Sequence, residues 1–323
     1  MLWILFAYNL GNADRGIYIG KIANAENMNS FQEPLYTALL RFIAQHSDIQ
    51  GLIIFTATCF LLAISLLRKL STNCCIALAG YMIAVFFFDV VQLRFSLALV
   101  FVYIGITILL TLENDFKATL LFIICIILAA CIHTSTILFL LFSVLRYMKS
   151  DRKVLLVAMS VGAILTLMVV SSSIIGTFGF LRSKLYAVSV TAEQYDTIFI
   201  FKRICYCLFI PSLFLYCYKR FFEKKIIKSY GELSIAKCMF RGNLMLLSII
   251  PLLFFSADFH RVFFAMHIIN LTIISRWMTT NNKFIMTILF IVVSGILLRM
   301  SFAGMNAETV FWSVLNKNMI LDF

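Results

Sequence analysis

The sequence predicts an all-α fold, that of a polytopic integral membrane protein with about 10–11 transmembrane helices. Of its 323 residues, 62% are apolar and only 13% are charged, and the mean hydropathy is +0.99. Uncharged runs of about 18 residues or more recur along the chain, as is typical of helices that cross a bilayer. Lipid offers no hydrogen-bond partners to an open backbone, so these segments are predicted to be helical. Residues 1–323 are predicted to form a single transmembrane domain.

Ten apolar segments are predicted to span the membrane, near residues 49–67, 73–93, 95–112, 118–132, 134–147, 154–174, 200–218, 243–257, 262–277 and 284–300. The apolar start, MLWILFAYNL, is too short to cross a bilayer as a helix. Two interpretations of this start are open. It lies at the membrane interface, or an upstream span is missing.

The basic residues predict the orientation, because cytoplasmic loops are enriched in Lys and Arg. The loop 219–242 carries seven of them, and the five loops on its side hold 16 of the 27 in the chain. A basic cytoplasmic face also explains the net charge of +12, so no nucleic-acid partner is predicted. The external side then receives most of the polar groups near span ends, in the polar segment 11–48, the turns at Arg94 and His133, the loop 175–199 and the turn 256–261.

One candidate site is the sequence FFFDVVQLRFSLALV, in which Asp89, Gln92 and Arg94 lie at or near span ends. An arginine near hydrocarbon is costly, so it requires an explanation. Arg94 could anchor the span end by extending its charge toward water. It could equally bind an anion, because the planar guanidinium matches phosphate and carboxylate geometry. The residues alone leave both interpretations open.

A second candidate is His133, which lies in the apolar sequence LAACIHTSTILFLL. Residues 118–145 contain no charge, and a single helix of this length would measure about 42 Å, more than a bilayer core. The polar cluster HTST therefore predicts a break between two short helices, with one long tilted helix as the alternative. A histidine in this position is either a structural residue or a proton-transfer group.

Three further polar elements stand beside predicted spans: LGNADRGIYIGKI, FQEPLYTALLRFI and the turn SADFHR. They supply the candidate site residues Asp14, Arg15, Tyr18, Glu33, Tyr36, Asp258, His260 and Arg261. For the two N-terminal elements, an interfacial helix start is the alternative. Neither the histidines and acids nor the nine cysteines show the spacing of a metal site, so no metal is predicted. The cysteines are predicted to be packing residues.

These elements resemble, in order, the motifs of the EpsG family of bacterial polysaccharide polymerases, which is related to the Wzy O-antigen polymerases. QLRFSLALVFVYIGI followed by ILAACIHTSTILFLL is similar to an arginine helix and an A-x-x-H-x-S block, matched at Arg94, Leu97, Ala98, Ala130, His133 and Ser135. The N-terminal elements resemble tDyxxY and fEPlyxxL motifs, matched at Asp14, Tyr18, Glu33, Pro34, Leu35, Tyr36 and Leu39. HRVFFAMHI resembles a later arginine–aromatic block that includes Arg261.

The resemblance implies a glycosyltransferase-type polymerase in the bacterial cytoplasmic (inner) membrane, a multi-pass protein acting at the external face. It would join oligosaccharide repeat units carried on undecaprenyl pyrophosphate into O-antigen of lipopolysaccharide, capsule or exopolysaccharide. No cofactor is implied, because the pyrophosphate is itself the leaving group. The implied partners are the lipid-linked oligosaccharide, the lipid bilayer, a flippase and a chain-length regulator.

The resemblance also suggests roles for the candidate residues. Arg94 and Arg261 would stabilise the charge on the departing pyrophosphate. His133 would be the general base, with Asp14 or Asp258 as the second choice. The remaining candidates would bind substrate; they are Arg15, Tyr18, Glu33, Tyr36, Asp89, Gln92, Asp258 and His260.

Three other classes of protein share the membrane-embedded character and have to be separated from a polymerase. They are a flippase or transporter of lipid-linked oligosaccharide, another membrane glycosyl- or acyltransferase, and a non-catalytic assembly partner. A flippase would more often show internal repeats, and no repeat is evident in this sequence. Loss of a flippase would abolish surface glycan, whereas loss of a polymerase would leave single repeat units.

Overall fold

A computed structural model describes residues 1–28, 33–70, 74–148, 150–171, 197–223, 230–254, 259–277 and 312–320. In these residues the regular secondary structure is helical, apart from an isolated antiparallel bridge between Asn9 and Asn318. The all-α prediction is therefore confirmed. The chain divides into two compact units, residues 1–140 with 271–323 and residues 141–270.

The described residues contain the following α-helices, in chain order. They are α1 (Leu2–Ala7), α2 (Arg15–Ala23), α3 (Pro34–His46), α4 (Ile49–Leu66), α5 (Cys74–Tyr81), α6 (Phe87–Val91), α7 (Leu93–Thr111), α8 (Asp115–Ala130), α9 (Asp151–Ser171), α10 (Thr197–Glu223), α11 (Tyr230–Met245), α12 (His260–Trp277) and α13 (Ser313–Asn316). A π-helical turn, Met82–Phe86, joins α5 to α6. Tighter 3₁₀ segments cover Ala25–Asn27, Leu67–Lys69, Thr134–Val144 and Leu246–Phe254.

Within the described residues, three helical segments are long and apolar enough to cross a membrane: Ile49–Lys69, Leu93–Thr111 and Ile235–Phe254. Shorter apolar helices occupy Thr134–Val144, Cys207–Lys219 and His260–Ser275. The protein is thus a multi-pass membrane protein. In their described parts, nine of the ten predicted spans fall on helical segments, and the tenth, 284–300, lies outside the described residues.

Local sequence explains where several helices begin. The Asp48 side chain accepts a hydrogen bond from the Gly51 N–H at 3.0 Å and caps α4, and Asn114 caps α8 through the Lys117 N–H at 2.9 Å. Pro34 occupies the first turn of α3, where its fixed φ angle suits a helix start and its missing N–H has no cost.

The first unit is built around α7, which packs against α4 and α8. A Cβ atom on Gly105 would lie 3.0 Å from the Cys125 Cβ and 3.2 Å from the Phe122 ring, so glycine permits the close approach of α7 and α8. Residues 8–10 pair with residues 317–319 in the same unit. The Leu10 N–H donates to the Lys317 carbonyl at 2.8 Å, and the Met319 N–H donates to the Tyr8 carbonyl at 2.9 Å.

The second unit contains α9 packed against the 3₁₀ segment Leu246–Phe254. On α11 and α12, Asn243 and Asn270 exchange two side-chain hydrogen bonds of 2.9 and 2.8 Å while fully buried. Arg241 donates to the Asp151 carboxylate at 2.8 Å, and both residues come from loops predicted for the cytoplasmic face. Residues 230–242, which fall in the predicted loop 219–242, are helical.

Candidate functional site

Arg94 is positioned by a break between two helices. α6 ends at Val91, Gln92 adopts φ −92° and ψ 58°, and α7 begins at Leu93. The carbonyl oxygens of Val90 and Val91 accept hydrogen bonds of 2.9 and 3.2 Å from the buried Asn12 amide. This interaction satisfies backbone groups that the end of a helix leaves without partners, and it places Arg94 in the first turn of α7.

The guanidinium of Arg94 forms an ion pair with the carboxylate of Glu33. The Nη1–Oε2 distance is 2.5 Å, and the side chains are 27% and 9% exposed. The ring of Tyr36 lies 5.8 Å from the Arg94 Cζ, and the Arg94 N–H donates to the Tyr18 hydroxyl at 3.4 Å. An arginine paired with a carboxylate and an aromatic face is stabilised near hydrocarbon by charge and by cation–π attraction.

The Glu33–Tyr36 segment docks into the break at His133. α8 ends at Ala130, and the Cys131 carbonyl accepts hydrogen bonds from the Leu35 and Tyr36 N–H groups at 3.1 and 3.4 Å. In return, Glu33 Oε1 accepts from the N–H and the hydroxyl of Thr134, both at 3.3 Å. The two sequence motifs, 101 positions apart, therefore meet in space. The predicted break between the two apolar segments is confirmed.

His133 has a defined tautomer in its neutral form. Its Nδ1 lies 2.9 Å from the Ser135 hydroxyl and accepts a 3.3 Å hydrogen bond from the Ser135 N–H. Because a backbone N–H can only donate, Nδ1 carries the lone pair and the ring proton sits on Nε2. Nε2 is then a hydrogen-bond donor. The general-base role that the resemblance suggests for His133 stays a prediction.

Tyr36 contributes a buried hydroxyl to the cluster. The residue is 1% exposed, and its hydroxyl has no hydrogen-bond partner among the described residues. Burial is the main cause that raises the pKa of Tyr36 above its ordinary value. The phenol therefore keeps its proton at neutral pH and can donate it to an acceptor.

Asp89 lies in α6, the helix that ends at the break before Arg94, and is only 2% exposed. The Tyr81 hydroxyl donates to Asp89 Oδ2 at 2.5 Å, and the Ser96 hydroxyl donates to the Asp89 carbonyl at 2.5 Å. Its side chain is thus engaged with another helix, where it fixes the geometry on the α6 side of Arg94. The role assigned to it from sequence, contact with substrate, stays a prediction.

The other N-terminal candidates lie near α2. Asp14 is the N-cap residue of α2, and its partly exposed carboxylate makes no capping hydrogen bond. Arg15 Nη1 donates to the Asn9 carbonyl and to Gln50 Oε1, both at 3.4 Å. Gln92 is partly exposed at the helix break.

The later candidates belong to the second unit or lie outside the described residues. Arg261 and His260 begin α12, where the His260 ring makes an edge contact with Phe264 at 4.6 Å. Asp258 and most of the loop 175–199 are outside the described residues. Among the residues that are described, no three His, Cys, Asp or Glu side chains gather in a group that could hold a metal ion.

Sequence reasoning missed two residues that shape this cluster. Asn12 holds the carbonyls before Arg94, and Thr134 binds Glu33. The only signal for Asn12 was its position in the element LGNADRGIYIGKI, two residues before Asp14. Thr134 was noticed as part of the polar HTST cluster, but its partner was not apparent from the sequence.

The fold and the cluster define a multi-pass helical membrane protein with an arginine–carboxylate site at a helix break. The chain belongs to the EpsG family, whose model matches residues 1–313. That membership links the protein to exopolysaccharide biosynthesis. No curated protein and no solved structure matches the chain.

Proposed function

We propose that this protein is a polysaccharide polymerase that joins oligosaccharide repeat units carried on undecaprenyl pyrophosphate. The observation that carries the proposal is the cluster of Arg94, Glu33, Tyr36 and Thr134, with His133 next to Thr134 in the chain, drawn from three segments that the alternation of spans assigns to one side of the membrane. Membership of the EpsG family supports the same reaction class.

The reaction forms a bond between an acceptor hydroxyl oxygen and the anomeric carbon of the donor. The bond from that carbon to the pyrophosphate oxygen breaks, and the electron pair leaves with the pyrophosphate. Negative charge therefore grows on the leaving group, where a positioned cation lowers the barrier. Arg94 is the proposed cation, because it is partly exposed and its position is fixed by Asn12 and Tyr18.

The other groups have complementary proposed roles. His133 Nε2–H donates a hydrogen bond to a phosphoryl oxygen, and the Tyr36 hydroxyl donates a second. The proton of the acceptor hydroxyl passes to the Asp14 carboxylate, which is partly exposed and does not cap its helix. The roles suggested from sequence for Arg261 as a pyrophosphate contact, and for Asp258 and His260 as substrate contacts, stay predictions. Arg15, Gln92 and Tyr18 are proposed to contact the glycan.

We place this activity at the external face of the bacterial cytoplasmic membrane, where flipped lipid-linked units arrive. A flippase that delivers them and a chain-length regulator are the proposed protein partners. The product is O-antigen, capsule or exopolysaccharide.

The test is a deletion strain whose surface glycan is separated by chain length on a gel. We expect single repeat units in place of a ladder, and we expect plasmid-borne protein to restore the ladder. Complete loss of surface glycan would identify a flippase instead. An unchanged ladder would reject the polymerase, and full rescue by both Arg94→Ala and His133→Ala variants would indicate a non-catalytic assembly partner.

A further inference from the structure

The Glu33 carboxylate occupies a position built to bind an anion. One oxygen contacts the Arg94 guanidinium at 2.5 Å, and the other accepts from the Thr134 N–H and hydroxyl at 3.3 Å. The Thr134 N–H belongs to the first turn of the 3₁₀ segment Thr134–Val144, whose N-terminal end favours negative charge. A cation, a helix start and a hydroxyl thus converge on two oxygens of one acid.

The same arrangement of donors suits a phosphoryl group. Guanidinium forks, helix N-termini and hydroxyls are the groups that bind phosphate oxygens in proteins. Arg94 and Thr134 present such donors 3.3 Å or less from the carboxylate oxygens. The buried Tyr36 hydroxyl, which lacks a hydrogen-bond partner among the described residues, adds an independent sign that the cluster accommodates another polar group.

We propose that Glu33 is an internal stand-in for the pyrophosphate of the substrate and that the two anions exchange at Arg94 and Thr134. This inference rests on the proposed function, because it names the subsite at which the leaving group binds. The pyrophosphate takes the Arg94 fork, the Thr134 N–H and the Thr134 hydroxyl, and the Glu33 side chain moves out of that position. Between turnovers Glu33 neutralises Arg94, so the cation is never left uncompensated at the membrane.

If Glu33 exchanges with the pyrophosphate, replacing it should change the affinity for pyrophosphate in the opposite direction from replacing a residue that binds the ligand. If Glu33 competes with the incoming anion, the isosteric change Glu33→Gln removes the competing charge and leaves the shape unchanged. Binding of a pyrophosphate then becomes tighter, by up to about fivefold for a partly exposed ion pair. If Glu33 instead binds substrate or only braces Thr134, the same change weakens binding or leaves it unaltered.

The experiment measures binding of farnesyl pyrophosphate and of inorganic pyrophosphate to the full-length protein in detergent by isothermal titration. We expect Glu33→Gln to tighten farnesyl pyrophosphate binding, and Thr134→Val and Tyr36→Phe each to weaken it. Glu26→Gln is the matched control, because Glu26 is an exposed carboxylate on a nearby turn. A gain with both ligands supports exchange of a pyrophosphoryl anion, and a gain with farnesyl pyrophosphate alone assigns it to the lipid-linked form.

Unchanged or weaker binding by a monodisperse Glu33→Gln protein would overturn the proposal. So would unaltered binding by Thr134→Val, which reports on the subsite even if the Glu33 variant does not fold. The assay contains no glycan acceptor and does not measure polymerisation. Rejection of the exchange therefore leaves the polymerase intact. A chain-length result that rejects the polymerase would leave the measured pyrophosphate binding in place and remove only its interpretation as binding of the leaving group.

Discussion

The side-chain amide of Asn12 donates a 2.9 Å hydrogen bond to the carbonyl oxygen of Val90, 78 positions further along the chain. The same amide reaches the Val91 carbonyl at 3.2 Å, and Asn12 Oδ1 accepts from the Asp14 N–H at 2.8 Å. Asn12 thus connects the Asp14 turn to the helix break that precedes Arg94. Two candidate segments are held in register by a residue that itself has no proposed contact with substrate.

Replacing Asn12 by Asp should therefore shorten the glycan without preventing membrane insertion. Aspartate keeps the acceptor for Asp14 but loses the donors, which costs about 1–3 kcal/mol for carbonyls left unsatisfied. Chain length on a gel and thermal melting in detergent measure the two effects. Asn24→Asp is the control, since the Asn24 amide donates to the Gly20 carbonyl in the last turn of its own helix, α2. A full-length ladder from the Asn12 variant would show that this connection does not position Arg94.

Arg94→Ala should eliminate long-chain glycan, and Arg94→Lys should retain only short chains. Lysine keeps the charge but lacks the planar fork that binds two oxygens at once. The measurement is the distribution of chain lengths in a deletion strain carrying each variant at equal protein level. Arg68→Ala serves as the comparison, because Arg68 is exposed at the far end of α4. Equal ladders from the Arg94→Lys variant and the wild type would argue against the bidentate role.

Ser135→Ala should produce a partial loss of polymerisation that disappears when His133 is already replaced. The variant removes one of the two bonds at His133 Nδ1 and leaves the Ser135 N–H in place. One such bond contributes about 0.5–1.5 kcal/mol, which corresponds to roughly a two- to tenfold change in rate. In a double-mutant cycle, additive losses in the combined His133→Ala variant would mean that Ser135 acts independently.

Gly105→Leu should destabilise the first unit, because α7 and α8 meet too closely there for a larger side chain. Overpacking of this kind costs about 1–3 kcal/mol. The expected result is a lower melting temperature in detergent. Gly20→Leu is the matched change, since a Cβ at Gly20 meets no atom within 4 Å. Similar melting of the two variants would contradict the packing described here.

In the second unit, Asn243→Leu and Asn270→Leu should be coupled in their effect on stability. The losses in the free energy of unfolding from the two single changes should add up to more than the loss from the double change. Each single change leaves a buried amide without its reciprocal partner, whereas the double change removes both. Interhelical bonds of this kind contribute about 0.6–2 kcal/mol in membrane proteins. Melting temperatures of the four proteins in the cycle measure the coupling, and strictly additive shifts would exclude it.

The sequence predicted the helical class and the break at His133 because both depend on local composition. Runs of apolar residues have to be helical in lipid, and HTST interrupts a run that is too long for one span. Arg94, Glu33 and Tyr36, which the structure brings together, were among the candidates because polar groups near span ends are conspicuous in such a chain. Their roles stay predictions. The sequence did not predict which side chains of distant segments pair with each other.

Glu33 and Thr134 illustrate why. They are 101 positions apart, and each looks like an ordinary helix start in its own segment. Their contact depends on how α3 docks on the end of α8, which is a matter of tertiary packing. The tautomer of His133 depends in the same way on the direction of one backbone N–H, which no residue pattern encodes.

The pairing of residues 8–10 with residues 317–319 has a consequence for biogenesis. Asn9 bonds to the carbonyl of Val314, 305 positions later, so this partner leaves the ribosome only after the intervening residues have been synthesised. At about 5–20 residues per second, that delay is roughly 15–60 s. During this time the early part of the chain is already in the membrane with some of its polar backbone groups unpaired. Until residues 314–319 have been synthesised, interfacial water has to hydrate those groups, because hydrocarbon offers them no hydrogen-bond partner.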